Sequence, residues 1–217
     1  MISLHEVGKM CEDFKEERFK INTLLRTNNE ERFNSSWGRK PIPKGIGFPG
    51  YLENLQTKGY KVWSPDLPNS DTPSLPDWLN TIFSNKKWTF NGESILVGHS
   101  SGATLILRIL ERLPKGVKVN KAILVAAPIE LGTKEEYFGY KKGMISEPFN
   151  WDKIKNSCKN FYFIHSDNDK YECGIEQGKI LHEHLGGELI LKEGQGHFNL
   201  EVNENYKEFP FLLTLID

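Results

Sequence analysis

Residues Glu93 to Leu113 read ESILVGHSSGATLILRILERL, and this stretch decides how the rest of the chain is interpreted. Its first part, Ile95–Val97, is a short apolar run with the character of a β-strand. The apolar residues after Gly102 recur at the spacing of an α-helix. Between the two, Gly98, Ser100 and Gly102 form the pattern G-x-S-x-G. A strand that turns sharply into a helix at a serine is typical of a nucleophile elbow.

The composition of this turn suits an elbow. The serine backbone would have to adopt a strained conformation, which only a well-packed environment maintains. Glycines on both sides would let the strand and the helix pass closely without Cβ clashes. The hydroxyl would then stand beside a helix N-terminus whose N–H groups can stabilise a developing oxyanion. An ordinary strand-to-helix turn rich in small residues could contain the same five-residue pattern. Residues elsewhere in the chain are therefore needed to distinguish an elbow from such a turn.

Bulk composition excludes several classes of protein. The chain has 217 residues, with 28 Lys+Arg against 29 Asp+Glu and a formal net charge of -1, which gives no basic excess for binding nucleic acid. No apolar run approaches the roughly 20 residues of a membrane span. Met1–Lys20 lacks the apolar core of a secretory signal. We therefore predict a cytoplasmic protein whose partner is a small molecule rather than a nucleic acid or a membrane.

The candidate metal ligands have no metal-like spacing. Cys11, Cys158 and Cys173 are widely separated and odd in number, which is typical of a reduced intracellular protein. His182 and His184 are two positions apart on a predicted helix, so they point to different sides. We predict neither a metal nor another cofactor.

From residue 50 onward, predicted strands alternate with predicted helices. The predicted strands are Tyr60–Trp63, Ile95–Val97, Lys121–Ala127, Phe161–Ile164 and Glu188–Lys192. Such alternation favours a three-layer α/β/α sandwich with a mostly parallel sheet. We expect one domain over residues 1–217. Residues 1–45 are atypical, because they contain no Val/Ile-rich strand and are partly irregular in pattern.

Two further loops carry the residues that a serine nucleophile needs. Asp167 and Asp169 follow the fourth predicted strand, and His197 follows the fifth. Parallel strands end at the same edge of a sheet, so these loops should converge on Ser100. The order Ser…Asp…His is that of the α/β-hydrolase triad, in which a histidine takes the serine proton and a carboxylate holds the histidine. Asp169 lies deeper in its loop and is the favoured acid, while Asp167 would serve the turn.

Several motifs together indicate a family. They are Gly47–Leu52, Pro65–Ser70 followed by Trp78, Gly98–Ala103, Ala126–Pro128, Ser166–Asp169 and Gly196–Phe198. On these residues the chain resembles the small serine hydrolases related to retinoblastoma-binding protein nine, also called the YdeN family. The resemblance implies an α/β-hydrolase fold with little or no lid. It also implies Ser100 as nucleophile, Asp169 as acid and His197 as base in the hydrolysis of a carboxyl ester or amide.

The upstream region departs from this family. Its members open with a Val/Ile-rich strand and a glycine-bearing loop, which donates one oxyanion N–H beside that of the residue after the serine, here Ser101. In this chain Trp37-Gly38 is the matching place, so Gly38 is the candidate second donor. The alternative function is a catalytically weak or inactive hydrolase-fold protein that binds or interacts, with a degenerate oxyanion loop.

Two groups of aromatic or imidazole side chains have open roles. His99 lies inside the elbow, where we expect a structural role. The aromatic residues between Tyr137 and Trp151 either roof an acyl pocket or pack an insert against the core.

Overall fold

The computed structural model describes residues 21–26, 49–69 and 72–216. Its strands are β1 Ile21–Arg26, β2 Tyr60–Trp63, β3 Ser94–His99, β4 Val119–Val125, β5 Cys158–Ser166 and β6 Glu188–Lys192. Its α-helices are α1 Pro49–Thr57, α2 Leu75–Phe83, α3 Ser101–Leu110, α4 Phe138–Ile145, α5 Trp151–Asn156, α6 Ile175–Leu185 and α7 Phe211–Thr214. Short 3-10 turns lie at Glu135–Tyr137 and Glu204–Lys207. The five strands predicted from the sequence are confirmed as β2 to β6.

The described strands form one sheet in the order β2-β1-β3-β4-β5-β6. Strands β3, β4, β5 and β6 are parallel to one another, whereas β1 is antiparallel to both of its neighbours. The carboxyl ends of β3 to β6 therefore meet at one edge, which we call the site edge. None of the helices in the described part of the chain combines the length and apolar character needed to cross a membrane.

Helices cover both faces of the sheet. Successive side chains of a central strand point to opposite faces and so enter two different cores. In β4, Ala122 and Leu124 enter one core together with buried side chains of α2, α3, α5 and α6. Ile123 and Val125 enter the other core, to which α1 and α7 contribute. Central strands that are apolar on both faces are what a parallel sheet between two helical layers requires. The predicted three-layer architecture is thus confirmed.

Strand β1 corrects the expectation that no strand precedes residue 45. Ile21–Arg26 pairs with both β2 and β3, with Ile21 opposite Gly98 and Leu25 opposite Ser94. Arg26, at the carboxyl end of β1, consequently lies at the edge opposite the site edge. The sequence INTLLR does not alternate apolar and polar residues and lacks valine, so its pattern does not predict a strand.

The region between β4 and β5 has more regular structure than its pattern indicated, since it contains α4 and α5. Arg108 of α3 is buried and donates hydrogen bonds to the carbonyls of Met144, Glu147 and Pro148. Its guanidinium also lies 3.8 Å from the centroid of the Phe149 ring. These contacts fasten the end of α4 and the start of α5 to the helix that follows the elbow.

Candidate active site

Ser100 lies between β3 and α3, so the predicted strand–turn–helix is present. Its φ and ψ are 53° and -129°, a conformation that a non-glycine residue rarely adopts. Its N–H donates to the Val125 carbonyl of β4 at 2.9 Å, which ties the elbow to the neighbouring strand. A Cβ at Gly98 would lie 2.7 Å from the Gly102 carbonyl oxygen, so only glycine permits this close passage.

His197 and Asp169 form a buried pair at the site edge. The Nδ1 atom of His197 lies 2.7 Å from Oδ2 of Asp169, and their side chains are 5% and 0% exposed. Burial tends to raise the pKa of Asp169, but attraction to His197 and hydrogen bonds from His197 and the Tyr171 N–H outweigh it and lower the pKa. Asp169 is therefore a carboxylate at neutral pH, suited to accept the Nδ1 proton of His197.

Asp167 occupies a different place in the loop that follows β5, which we call the acid loop. Its side chain is exposed, and its Oδ1 accepts a hydrogen bond from the Gly194 N–H at 2.7 Å. That N–H donation favours the ionised form and lowers the pKa of Asp167. Of the two candidate acids, the structure thus brings Asp169 to His197. It places Asp167 against the main chain of the loop that follows β6 and carries His197, which we call the base loop.

His99 connects the elbow to the base loop. Its Nε2 lies 2.7 Å from the main-chain carbonyl oxygen of His197, and the two ring centroids are 4.7 Å apart. Burial lowers the pKa of His99 to about 3, so the ring is neutral and donates through Nε2. The residue next to Ser100 therefore touches the residue that binds Asp169. The sequence suggested a structural role for His99 but gave no signal for this partner, which is 98 positions away.

An aromatic wall, Tyr137 and Tyr171, flanks His197; the sequence indicated Tyr137 as a candidate pocket residue but gave no signal for Tyr171. The Tyr171 ring meets the His197 ring edge-on at 4.7 Å, and Tyr137 packs against Tyr171 at 5.0 Å. The Tyr171 N–H also donates to Oδ1 of Asp169 at 2.8 Å. Of the aromatic residues between 137 and 151, Tyr137 therefore lies near the histidine, whereas Phe149 and Trp151 pack against the core.

Of the two candidate oxyanion donors, Ser101 lies at the start of α3. Ser101 is the first residue of α3, so its main-chain N–H belongs to the helix N-terminus directly after Ser100. Gly38 lies outside the described residues.

One described group of donor atoms has metal-like proximity. Ligand atoms of Asp169, Cys173 and His197 lie within 4.8 Å of one another. However, Nδ1 of His197 and Oδ2 of Asp169 already bind each other, and burial raises the pKa of the Cys173 thiol, which keeps its proton. This arrangement favours a hydrogen-bonded His–Asp pair over a metal centre.

The buried histidines predict a loss of stability in acid. Burial lowers the pKa of His99 to about 3 and that of His165 to about 4, both from 6.5. The unfolded chain therefore binds more protons below about pH 6.5, and the free energy of unfolding should fall by about 1.4 kcal/mol per pH unit for each histidine. Urea denaturation at pH 7 and pH 5 measures this loss.

A matched variant tests that assignment. His165 Nδ1 contacts the Cys173 carbonyl at 2.8 Å, and an asparagine amide can replace this donor without titrating. His165→Asn should therefore reduce the pH dependence by about half. An unchanged slope would show that these buried histidines do not control the acid response.

Comparison with known proteins identifies the family to which the chain belongs. A family model described as "Serine hydrolase" matches residues 50–217. Serine hydrolase RBBP9 of Rattus norvegicus is 29% identical over 161 residues, which cover 73% of this chain and 81% of the rat protein. YdeN of Bacillus subtilis is 29% identical over 170 residues, which cover 78% of this chain and 85% of YdeN.

A solved structure from the same family has a similar fold. The crystal structure of the ydeN gene product from B. subtilis matches with a TM-score of 0.61 and 26% identity, over 70% of this chain and 77% of that one. The residues that the family model matches, 50–217, include β3 to β6 and the loops that carry Ser100, Asp169 and His197. The chain therefore has an α/β-hydrolase fold and belongs to the serine hydrolase family.

Proposed function

We propose that this hydrolase cleaves a small carboxyl ester or amide through an acyl-enzyme intermediate on Ser100. The observation that carries the proposal is the 2.7 Å contact between His197 Nδ1 and Asp169 Oδ2, in a loop that His99 ties to the elbow. A histidine held through Nδ1 by a buried carboxylate has Nε2 available to accept a proton.

The residues have distinct roles in this mechanism. Ser100 Oγ attacks the substrate carbonyl carbon while His197 Nε2 takes its proton, and the negative charge moves to the carbonyl oxygen. The Ser101 N–H stabilises that oxyanion. When the tetrahedral intermediate collapses, the bond to the leaving group breaks and His197 returns the proton to that group. Water then attacks the acyl-enzyme by the same route and releases the acid and Ser100.

A second candidate function is a weak hydrolase or a hydrolase-fold binding protein. The observation that favours it is the direction of β1, whose carboxyl end lies at the edge opposite Ser100. In the family that the chain resembles, the loop after the first strand supplies the second oxyanion donor. A site without one such donor would be slower by roughly a hundred- to thousandfold.

The proposed setting of the reaction is a single domain in the cytoplasm acting on a small molecule. The described residues form one sheet with a core on each face, which supports one domain. Cys158 and Cys173 are free thiols, as is usual in a reducing compartment. With 28 Lys+Arg and 29 Asp+Glu, the chain has no charge excess that favours nucleic acid.

A fluorophosphonate probe tests the proposal directly. This reagent phosphonylates a serine that an adjacent base activates. We expect stoichiometric labelling of the folded protein, mapped by mass spectrometry to the peptide that contains Ser100, together with hydrolysis of p-nitrophenyl acetate. Labelling with very slow turnover would favour the weak hydrolase. Absence of labelling in folded protein, or labelling at another serine, would contradict the nucleophile assignment.

A further inference from the structure

The last residue of β5 and the acid loop that follows it hold the base loop through side chains that the proposed mechanism does not use. Oδ1 of Asp167 accepts a hydrogen bond from the Gly194 N–H at 2.7 Å. Oγ of Ser166 accepts one from the Gln195 N–H at 3.0 Å. Two consecutive residues at the end of β5 and the start of the acid loop thus accept hydrogen bonds from two consecutive main-chain N–H groups of the base loop.

Asn168 continues the series next to the histidine. Its Oδ1 accepts a hydrogen bond from the Gly196 N–H at 2.6 Å and a second one from Ser166 Oγ at 2.8 Å. Asp169 follows with its contact to His197 Nδ1. Residues 166–169 therefore engage residues 194–197 without a gap, and the Asp169–His197 pair is the last member of the series.

The base loop needs such support because its backbone is unusual. Gly194 and Gly196 have φ values of 68° and 53°, and Phe198 has a φ of 54° although it is not a glycine. A loop with three left-handed residues within five positions has little regular hydrogen bonding of its own. Acceptors supplied by the acid loop satisfy three of its N–H groups and fix its conformation.

We propose that Ser166, Asp167 and Asn168 form a positioning clamp that sets the orientation of His197 relative to Ser100; the inference rests on the proposed function. The hydrogen bonds that these three side chains make to the base loop end on its main-chain N–H groups and not on the histidine ring, so they act through the main chain of that loop. Asp167 and Asn168 are exposed, whereas Ser166 is fully buried. The two exposed residues can therefore be replaced without opening the core.

The double variant Asp167→Ala/Asn168→Ala removes two of the three acceptors. A misplacement of about 1 Å at a reacting group can cost on the order of a hundredfold in rate, so we expect kcat to fall by about that factor. KM should change little, because the clamp contacts the loop and not the substrate. Asp167→Asn keeps an Oδ1 acceptor of the same shape and should retain kcat within about threefold.

A matched control separates positioning from general loss of stability. Asn160 lies near the start of β5, at the end of the strand away from the site edge. Its side chain is exposed and donates a hydrogen bond to the Asn120 carbonyl at 3.1 Å. Asn160→Ala should leave kcat unchanged. All rates are measured on folded protein well below its unfolding temperature. A folded double variant with wild-type kcat would overturn the proposal.

Two further measurements test the clamp independently of the Asn160→Ala control. If the clamp acts through the histidine, the double replacement should have almost no additional effect on kcat in an Asp169→Asn background, whereas a separate effect would be additive. Hydrogen exchange at the Gly194 and Gly196 amides should accelerate in the double variant but not in Asp167→Asn. This measurement remains decisive if the wild-type protein fails the fluorophosphonate test, and unchanged exchange would refute the clamp.

Discussion

Replacing Ser100 with alanine is expected to lower kcat for a p-nitrophenyl ester by about a millionfold, to the rate left by binding and the oxyanion donors alone. The physical reason is the loss of the proposed nucleophile, the Ser100 hydroxyl, which stands on a turn with a φ of 53° between β3 and α3. Alanine keeps that backbone and leaves the His197–Asp169 pair in place. The loss would therefore reflect the missing hydroxyl and not a collapsed site.

Ser101 provides the control for this prediction. It is a serine on the adjacent position, and its proposed contribution comes from the main-chain N–H, which alanine retains. Ser101→Ala should keep kcat within about tenfold of the wild type, because the oxyanion contact does not use the side chain. Retention of more than a few per cent of kcat in Ser100→Ala, after subtraction of uncatalysed hydrolysis, would mean that another group attacks the substrate.

The elbow and the convergence of three loops could be predicted because both depend on local pattern. A short apolar run, two glycines around a serine and a helical repeat define the elbow within Glu93–Leu113. Strand-and-helix alternation then makes the sheet parallel, and a parallel sheet brings the loops after β3, β5 and β6 to one edge. No long-range contact had to be known for these steps.

The direction of β1 could not be predicted in this way. Nothing local in INTLLR distinguishes a parallel from an antiparallel strand, since that choice is made by pairing with β3, more than sixty positions away. The family resemblance would have placed a loop after β1 at the site edge. The observed register pairs Arg26 with Tyr60, so the chain leaves β1 at the edge of the sheet away from Ser100.

The supporting contacts of the site were also beyond sequence reasoning. His99 and His197 are 98 positions apart, and their contact depends on how two loops pack above the sheet. Asn168 and Gly196 belong to two different loops. The sequences of these loops do not show which residue of one loop pairs with which residue of the other. The reacting residue types follow from chemistry, but the residues that hold them follow from tertiary packing.

Asp169→Asn is expected to lower kcat/KM by about ten-thousandfold. The structure explains why an isosteric replacement should be so damaging. The Tyr171 N–H donates to Oδ1 of Asp169, so an asparagine at this position would keep its carbonyl oxygen there and turn its amide NH₂ toward His197. The amide would then donate to Nδ1, the ring proton would move to Nε2, and His197 could no longer accept a proton from Ser100.

Asp167→Asn is the matched control, because it makes the same chemical change two residues earlier. Asp167 accepts only a main-chain N–H from Gly194 among the base-loop groups, and an asparagine oxygen can accept it as well. Activity should therefore stay within about threefold of the wild type. If Asp167→Asn were the more damaging change, Asp167 would be the acid in solution. Nitrogen chemical shifts of the His197 ring give a second answer, since only Asp169→Asn should move the proton from Nδ1 to Nε2.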